Sequence, residues 1–293
     1  MPKLNQTEVK STHNKHLLIL LILLILVTLF FTGFIIIYRQ DLIYPPLHRD
    51  QPSPKKFVES VDQNLPDILP KPKVIEHGSR NKHQIALTFD ADMTVGMLGL
   101  LQRHFVKSWY NYPIKQTLDK EGVKATVFLG GLWAKTYPNE AKDLANDPLI
   151  ELGNHSYSHP AFAKNCFKLP VIDVTQKTNE VLSAQLEIER VTGVVPKYFR
   201  FPGGCYEQAD VETIAKLGLK IIHWDVSAND GFNQDTNSIV RKVVNSIQNG
   251  SIVVFHIHDG PYAPKTNDAL VKIIPELKKQ GYQFVTISEL LAN

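Results

Sequence analysis

The stretch QIALTFDADMT, Gln84–Thr94, runs apolar and then ends on two carboxylates, Asp90 and Asp92, with only Ala91 between them. Farther along, GNHSYSHP sets His155 and His159 four residues apart, with Gly153 and Pro160 favouring a shaped loop over a long helix. Two imidazoles aimed at one point from a tight turn suit a divalent metal. Catalytic zinc commonly takes three protein ligands and keeps a fourth position open for water. Asp90 or Asp92 can complete such a set. The other is then free to act as general base, because a metal brings the pKa of water to about 7, within reach of a carboxylate. His256, in VVFHIHDG, is a candidate general acid for the opposite side. The lesser alternative is a core histidine below the site, a reading that fits His258 better.

These residues need elements to carry them. Apolar segments over residues 85–90, 124–130, 149–155, 198–202, 220–226, 251–258 and 283–287 read as strands. Helical stretches lie between them over 171–191, 207–217, 238–248 and 268–280, the last marked by Leu270, Ile273, Ile274 and Leu277 on one face. Gly218 and Gly281 stand just past helices, as stop signals. Strands alternating with helices imply parallel pairing, since a parallel neighbour needs a crossover. About seven such units suit a (β/α) barrel or a barrel-like sheet better than a long open sheet. The polar residues then fall at strand ends: Asp90 and Asp92, His155 and His159, Arg200, Asp225 and Asp230, and His256 with His258 and Asp259. The C-terminal strand ends of such barrels converge on one rim, where active sites are built, so an enzyme is expected.

The rest of the chain bounds the class. A net charge of +3 over 293 residues gives no reason to expect a nucleic-acid partner. Leu17–Ile37 carries no charged residue, and about 20 apolar residues suffice to cross a bilayer. The sequence therefore predicts a cytoplasmic tail over 1–16 and a single transmembrane anchor over 17–38. A Pro-rich linker over 39–74 and a catalytic domain over 75–293 would follow. Lys3, Lys10 and Lys15 before the span place the N-terminus in the cytoplasm and the domain outside it, in the periplasm or at the cell surface. The two cysteines, Cys166 and Cys205, could pair in such a setting, which spacing alone does not decide.

TFDAD, NHSYSHP, FRFPGG, HWDVSANDG and GSIVVFHIHDG occur in this order, led by IEHGSRNKHQIALTFD and closed by GYQFVTISELL. Over residues 75–291 the chain resembles the polysaccharide deacetylase family, carbohydrate esterase family four. The resemblance implies a distorted (β/α) barrel that uses a divalent metal to remove N-acetyl groups from amino sugars of glycans. Zinc is the first choice, with cobalt or another divalent ion as the alternative. The resemblance makes Asp90 the catalytic base, His155 and His159 the histidine ligands, Arg200 the residue orienting the base, and His256 the acid. Pro202 and Gly203 fall where a backbone N–H holds the oxyanion.

Three departures stand out. The family's second acid, a metal ligand, is replaced by Ala91, which leaves Asp92 as the candidate third ligand one residue late. The family's aspartate that pairs with the catalytic histidine aligns with Ser227, so Asp225 or Asp230 must pair instead. Gly231 replaces an aromatic of the acetyl pocket, for which Phe232 is the substitute at hand. The expectation is an anchored deacetylase of cell-wall or surface glycan, peptidoglycan first. An impaired glycan-binding or scaffolding protein is the alternative. Met93–Tyr112, with Phe105, Trp109, Tyr110 and Tyr112, reads either as a sugar-stacking rim loop or as part of the core.

Overall fold

The structure, a computed structural model, describes residues 72–292. The chain runs β1 (Val74–Ile75), β2 (Gln84–Ala91), α1 (Val95–Gln102), α2 (Tyr112–Glu121), β3 (Ala125–Leu129), α3 (Gly131–Thr136), α4 (Pro138–Asn146) and β4 (Ile150–Asn154). It continues through α5 (Lys177–Thr192), β5 (Tyr198–Phe199), α6 (Gln208–Ala215), β6 (Lys220–Ile222), β7 (Val226–Ser227), α7 (Thr236–Ser246), β8 (Ile252–His256), α8 (Thr266–Lys279), β9 (Gln283–Phe284) and α9 (Ile287–Leu291). The helices break where the sequence says they should: Gly218 and Gly281 have φ of +79° and +87°, a conformation that costs glycine little.

The expected distorted (β/α) barrel of about seven strands is corrected to an open, curled parallel sheet of nine. Its order is β1-β6-β5-β4-β3-β2-β8-β7, with β9 paired to the start of β2. One added strand is β1, which lies ahead of the first expected strand, and the other comes from one segment. The apolar run 220–226 reads as one strand but forms two, β6 near one edge and β7 at the other. The chain from Ile222 to Val226 reaches at most about 14 Å. Six strand spacings of a flat sheet would require roughly 29 Å. The sheet must therefore curl until its edges approach, and the crossing residues His223–Asp225 bridge the opening.

The expected transmembrane anchor is also corrected. Among the described residues, no helix is long and apolar enough to cross a membrane. The apolar span at 17–38 lies outside the described residues, as do the tail and most of the linker. The membrane partner and the extracytoplasmic location rest on that span, and no helix among the described residues supplies one.

Alternation along the strands sorts the side chains, because successive residues point to opposite faces. On β2, Leu87, Phe89 and Ala91 join the core under the helices, with Val253 and Phe255 of β8 and Leu129 of β3. Ala86, with Phe128 of β3, Tyr198 of β5, Ile222 and Ile252, belongs to a second core that Ile287 and Leu290 of α9 help fill. Asp90 shares the parity of Ala86, and His256 that of Ile252. The two are paired residues of β2 and β8. Arg200 shares the parity of Tyr198. The chemistry thus stands on the inner face, at the C-terminal ends of the strands.

Cys166 and Cys205 form a disulfide, with Cα atoms 6.0 Å apart and 39 residues of separation. It ties the loop after His159 to the turn Pro202–Gly204. A Cβ on Gly203 would meet Cys166 Sγ at 2.7 Å, so the bridge packs directly on that turn. Closing a loop of this length is worth about 4 kcal/mol by the chain-entropy estimate. Replacing both cysteines with serine should lower the urea midpoint accordingly, and reductant should lower the parent's midpoint similarly. An unchanged midpoint in both experiments would show that the bridge contributes nothing to stability.

Candidate active site

Asp90 is the last inner-face residue of β2 and is buried. Its Oδ1 accepts a 2.7 Å hydrogen bond from Arg200 Nη1, and Arg200 is fully buried. The guanidinium is braced from below, with its carbon 4.0 Å from the centroid of the Phe128 ring, and Nη2 donates to the His223 carbonyl. Phe128 lies against Gly153 of the next strand, where a Cβ would come within 2.5 Å of the ring. A glycine thus lets the ring lie flat, the ring carries the arginine, and the arginine fixes Asp90.

Asp92 lies just past the end of β2, with Ala91 turned outward into the core between the two acids. A spacing of two keeps both carboxylates on one side of the strand, which directly adjacent acids on a continuing strand would not share. Asp92 Oδ1 lies 3.3 Å from His155 Nε2 and 3.4 Å from His159 Nε2. These three side chains offer ligand atoms that all lie within 4.8 Å of one another. In a tetrahedral zinc site with bonds of 2.0–2.1 Å, neighbouring ligand atoms stand about 3.3 Å apart.

The donor chemistry fits a cation as well. Asp92 Oδ1 and His155 Nε2 are buried without a hydrogen-bond partner, although they face each other. His155 Nδ1 lies 2.9 Å from the Arg200 carbonyl, which only accepts. The proton is therefore on Nδ1, and the Nε2 lone pair is free for a metal. Burial pulls His155 down, but the carboxylates of Asp90 and Asp92 outweigh it and leave its pKa raised. Burial takes His159 down to about 4, a neutral ligand. For Asp92 burial acts upward, yet the imidazoles of His159, His258 and His155 hold its carboxyl well below the usual range.

Across the site, His256 Nδ1 lies 2.9 Å from Asp230 Oδ1. Asp230 Oδ2 accepts from the His256 N–H at 2.8 Å and from Thr266 Oγ1 at 2.6 Å. Burial lowers His256, but Asp230, then Asp92 and Asp90, more than reverse this and push it up to about 10. Asp230 is held low by that imidazole despite its burial.

Of Asp225 and Asp230, Asp230 is the one whose side chain meets His256. Asp225 accepts from Arg80, Ser251 Oγ and the Ile252 N–H, at the opposite end of β8 from His256. Ser227 bonds only locally, to Asn229. Gly203, at φ +61°, sits in the turn Pro202–Gly204; Pro202 has no N–H to donate, which leaves the glycine amide for any oxyanion role. Gly231 faces His256, where a Cβ would meet Cε1 at 3.4 Å, while Phe232 is exposed and packs edge-on to Tyr262. The segment 93–112 divides: Trp109 and Tyr110 are core residues, whereas Phe105 and Tyr112 are exposed.

His258 is the residue that sequence reasoning undervalued. It is buried, and its Nε2 lies 3.2 Å from both the Asp92 amide nitrogen and Asp92 Oδ2. The available signal was its position: two residues beyond His256 it has the same strand parity, so it faces the same side.

The sequence profile described as "Polysaccharide deacetylase" matches residues 77–222. The chain is 30% identical over 217 residues to a peptidoglycan-N-acetylglucosamine deacetylase of Bacillus cereus, covering 73% of this chain and 70% of that protein. Against other curated relatives it spans about half their length. Among solved structures, the Bc1960 peptidoglycan N-acetylglucosamine deacetylase in complex with an N-hydroxybenzamide superposes with a TM-score of 0.64 at 29% identity, over 75% of this chain and 94% of that one. BA3943 of Bacillus anthracis, described as a family-four pseudoenzyme, superposes with a TM-score of 0.62 at 27% identity, over 76% and 70% of the two chains. With a relative of this identity matched over more than two thirds of its length, and a fold and ligand cluster in agreement, the chain belongs to the polysaccharide deacetylase family.

Proposed function

We propose that this domain is a metal-dependent hydrolase that removes N-acetyl groups from amino sugars of a glycan, with peptidoglycan the first substrate to test. One observation carries the reading: the Asp92, His155 and His159 cluster is accompanied by a buried carboxylate paired with Arg200 and by an imidazole paired with Asp230. A divalent cation held there, zinc first, supplies Lewis acidity, lowering the pKa of water and polarising a carbonyl.

The chain's own residues divide the remaining work. Asp90 has one oxygen committed to Arg200, so Oδ2 is the atom left to take a proton from the attacking water. The water oxygen adds to the acetamide carbonyl carbon. The Gly203 amide is assigned the oxyanion that develops, a role that preorganised N–H groups fill without reorganisation. His256 keeps Nδ1 on Asp230 and presents Nε2, whose proton passes to the leaving nitrogen as the C–N bond breaks. The products are acetate and a free amino sugar.

The test is acetate release from N-acetylglucosamine oligomers and from peptidoglycan strands, measured beside new free amines. Acetate and amines should appear in equal amounts, disappear after chelation and return with zinc. Glycan binding without acetate would favour a non-catalytic role, as in the pseudoenzyme relative. Release of another product would point to a different amide or ester.

A further inference from the structure

Asp92 has left the strand ladder, so something other than sheet pairing must hold it. Its neighbours are fixed by ladder-like bonds: the Ala91 carbonyl accepts from the Gly130 N–H, and the Asp90 carbonyl from the Ile257 N–H. The Asp92 N–H instead points to His258 Nε2 at 3.2 Å. The other ring nitrogen, Nδ1, lies 3.2 Å from the Trp109 carbonyl, which accepts, so Nδ1 carries the proton and Nε2 is left as the acceptor for Asp92. Trp109 is itself anchored: its indole Nε1 donates to the Met97 carbonyl at 2.9 Å, and its amide donates to Tyr137 Oη at 2.8 Å. Both Trp109 and His258 are buried, so neither ring has room to swing away.

The two Asp92 oxygens are divided accordingly. Oδ1 faces His155 and His159, while Oδ2 lies against His258. His258 is not among the three residues whose donor atoms cluster, so it stands behind the ligand rather than beside it. We propose that His258 is the positioning residue for Asp92, fixing the backbone that carries its carboxylate so that an acid displaced by one residue still serves as the third metal ligand. This rests on the metal-site reading above. Groups that orient a metal ligand are worth about 10- to 100-fold in metal affinity.

The experiment is zinc affinity of the full chain by competition calorimetry, for the parent, His258→Ala, His258→Gln, Asp92→Ala and the Asp92→Ala/His258→Ala double variant. Metal-free thermal melts of each serve as a folding control. His258→Ala should weaken zinc about 10- to 100-fold. His258→Gln, whose amide oxygen can accept the Asp92 N–H, should recover most of that loss. In the Asp92→Ala background, removing His258 should change affinity little, because the ligand it acts through is already gone. Cobalt spectra should show a disturbed ligand field in His258→Ala and a parent-like one in His258→Gln.

If His258→Ala binds zinc as the parent does, or if the loss is equally large without Asp92, the proposal is overturned while the metal site stands. A parent that binds no zinc overturns the site reading and this proposal together. Should the alanine variant not fold, His258→Leu, which fills the space without a nitrogen, takes its place with the same expectations.

Discussion

Asp90→Asn should abolish nearly all turnover while leaving zinc affinity close to that of the parent. The substitution keeps the shape and still offers Arg200 an acceptor, but an amide cannot take a proton from water at neutral pH. Loss of a general base typically costs about 10²- to 10⁴-fold in rate. The fall should appear in kcat, with KM little changed, since Asp90 is proposed to act on the attacking water. A second effect accompanies it. Arg200 is fully buried and its ion pair is with Asp90, so the variant leaves a guanidinium without its counter-charge. Breaking such a pair from one side costs up to about 3–5 kcal/mol, moderated here by the remaining hydrogen bond. Acetate release, zinc titration and a urea midpoint on one preparation separate these terms. Retention of more than about a tenth of the rate would be too small a loss for a general base. A matching collapse of zinc affinity would make Asp90 a ligand instead.

Asp230→Asn should move the alkaline limb of the kcat/KM profile to lower pH by more than about one unit. Asp230 is the first charge that raises His256 to about 10. Removing it lets burial act with less opposition, so the imidazole loses its proton earlier and the acid fails at lower pH. A cation bound nearby lowers the limb in both proteins, so the difference between them is the quantity to read. An unmoved limb would mean that His256 does not supply the proton. The same pair also makes stability depend on pH. His256 has a raised pKa, so its stabilisation is complete below its ordinary value near 6.5 and fades as pH climbs toward about 10. Asp230 has a depressed pKa, so its share is complete above its ordinary value near 4 and is lost below it.

Much of this site was legible from residue types and their order. Asp90, His155, His159, Arg200 and His256 converge because each ends or follows a strand, and parallel strands present their ends on one side. Asp92 required the strand period to be carried one step past the ladder: residues 90 and 92 share a face, and Ala91 is apolar because it faces the other core. The same period would have drawn attention to His258. What the sequence obscured was continuity. Nothing in KIIHWDVS marks Ile222 and Val226 as belonging to opposite ends of a sheet, because the break depends on partners far away. Val74 and Ile75 pair with Ile221 and Ile222 on one side, and Asp225 is captured by Arg80 and Ser251 on the way across. Asp225 lost its expected role for that reason. The Cys166–Cys205 pairing was undecided in the same way, since 39 residues of separation reveal nothing until two loops are known to meet.

The two outer strands of the open sheet, β1 and β7, are each only two residues long. A sheet that does not close normally exposes rows of unpaired N–H and C=O groups, which can template pairing with another molecule. Here each rim is so short that an incoming chain would find little backbone to register against. The fold therefore leaves its sheet unclosed without offering a long edge on which copies of the protein could accumulate.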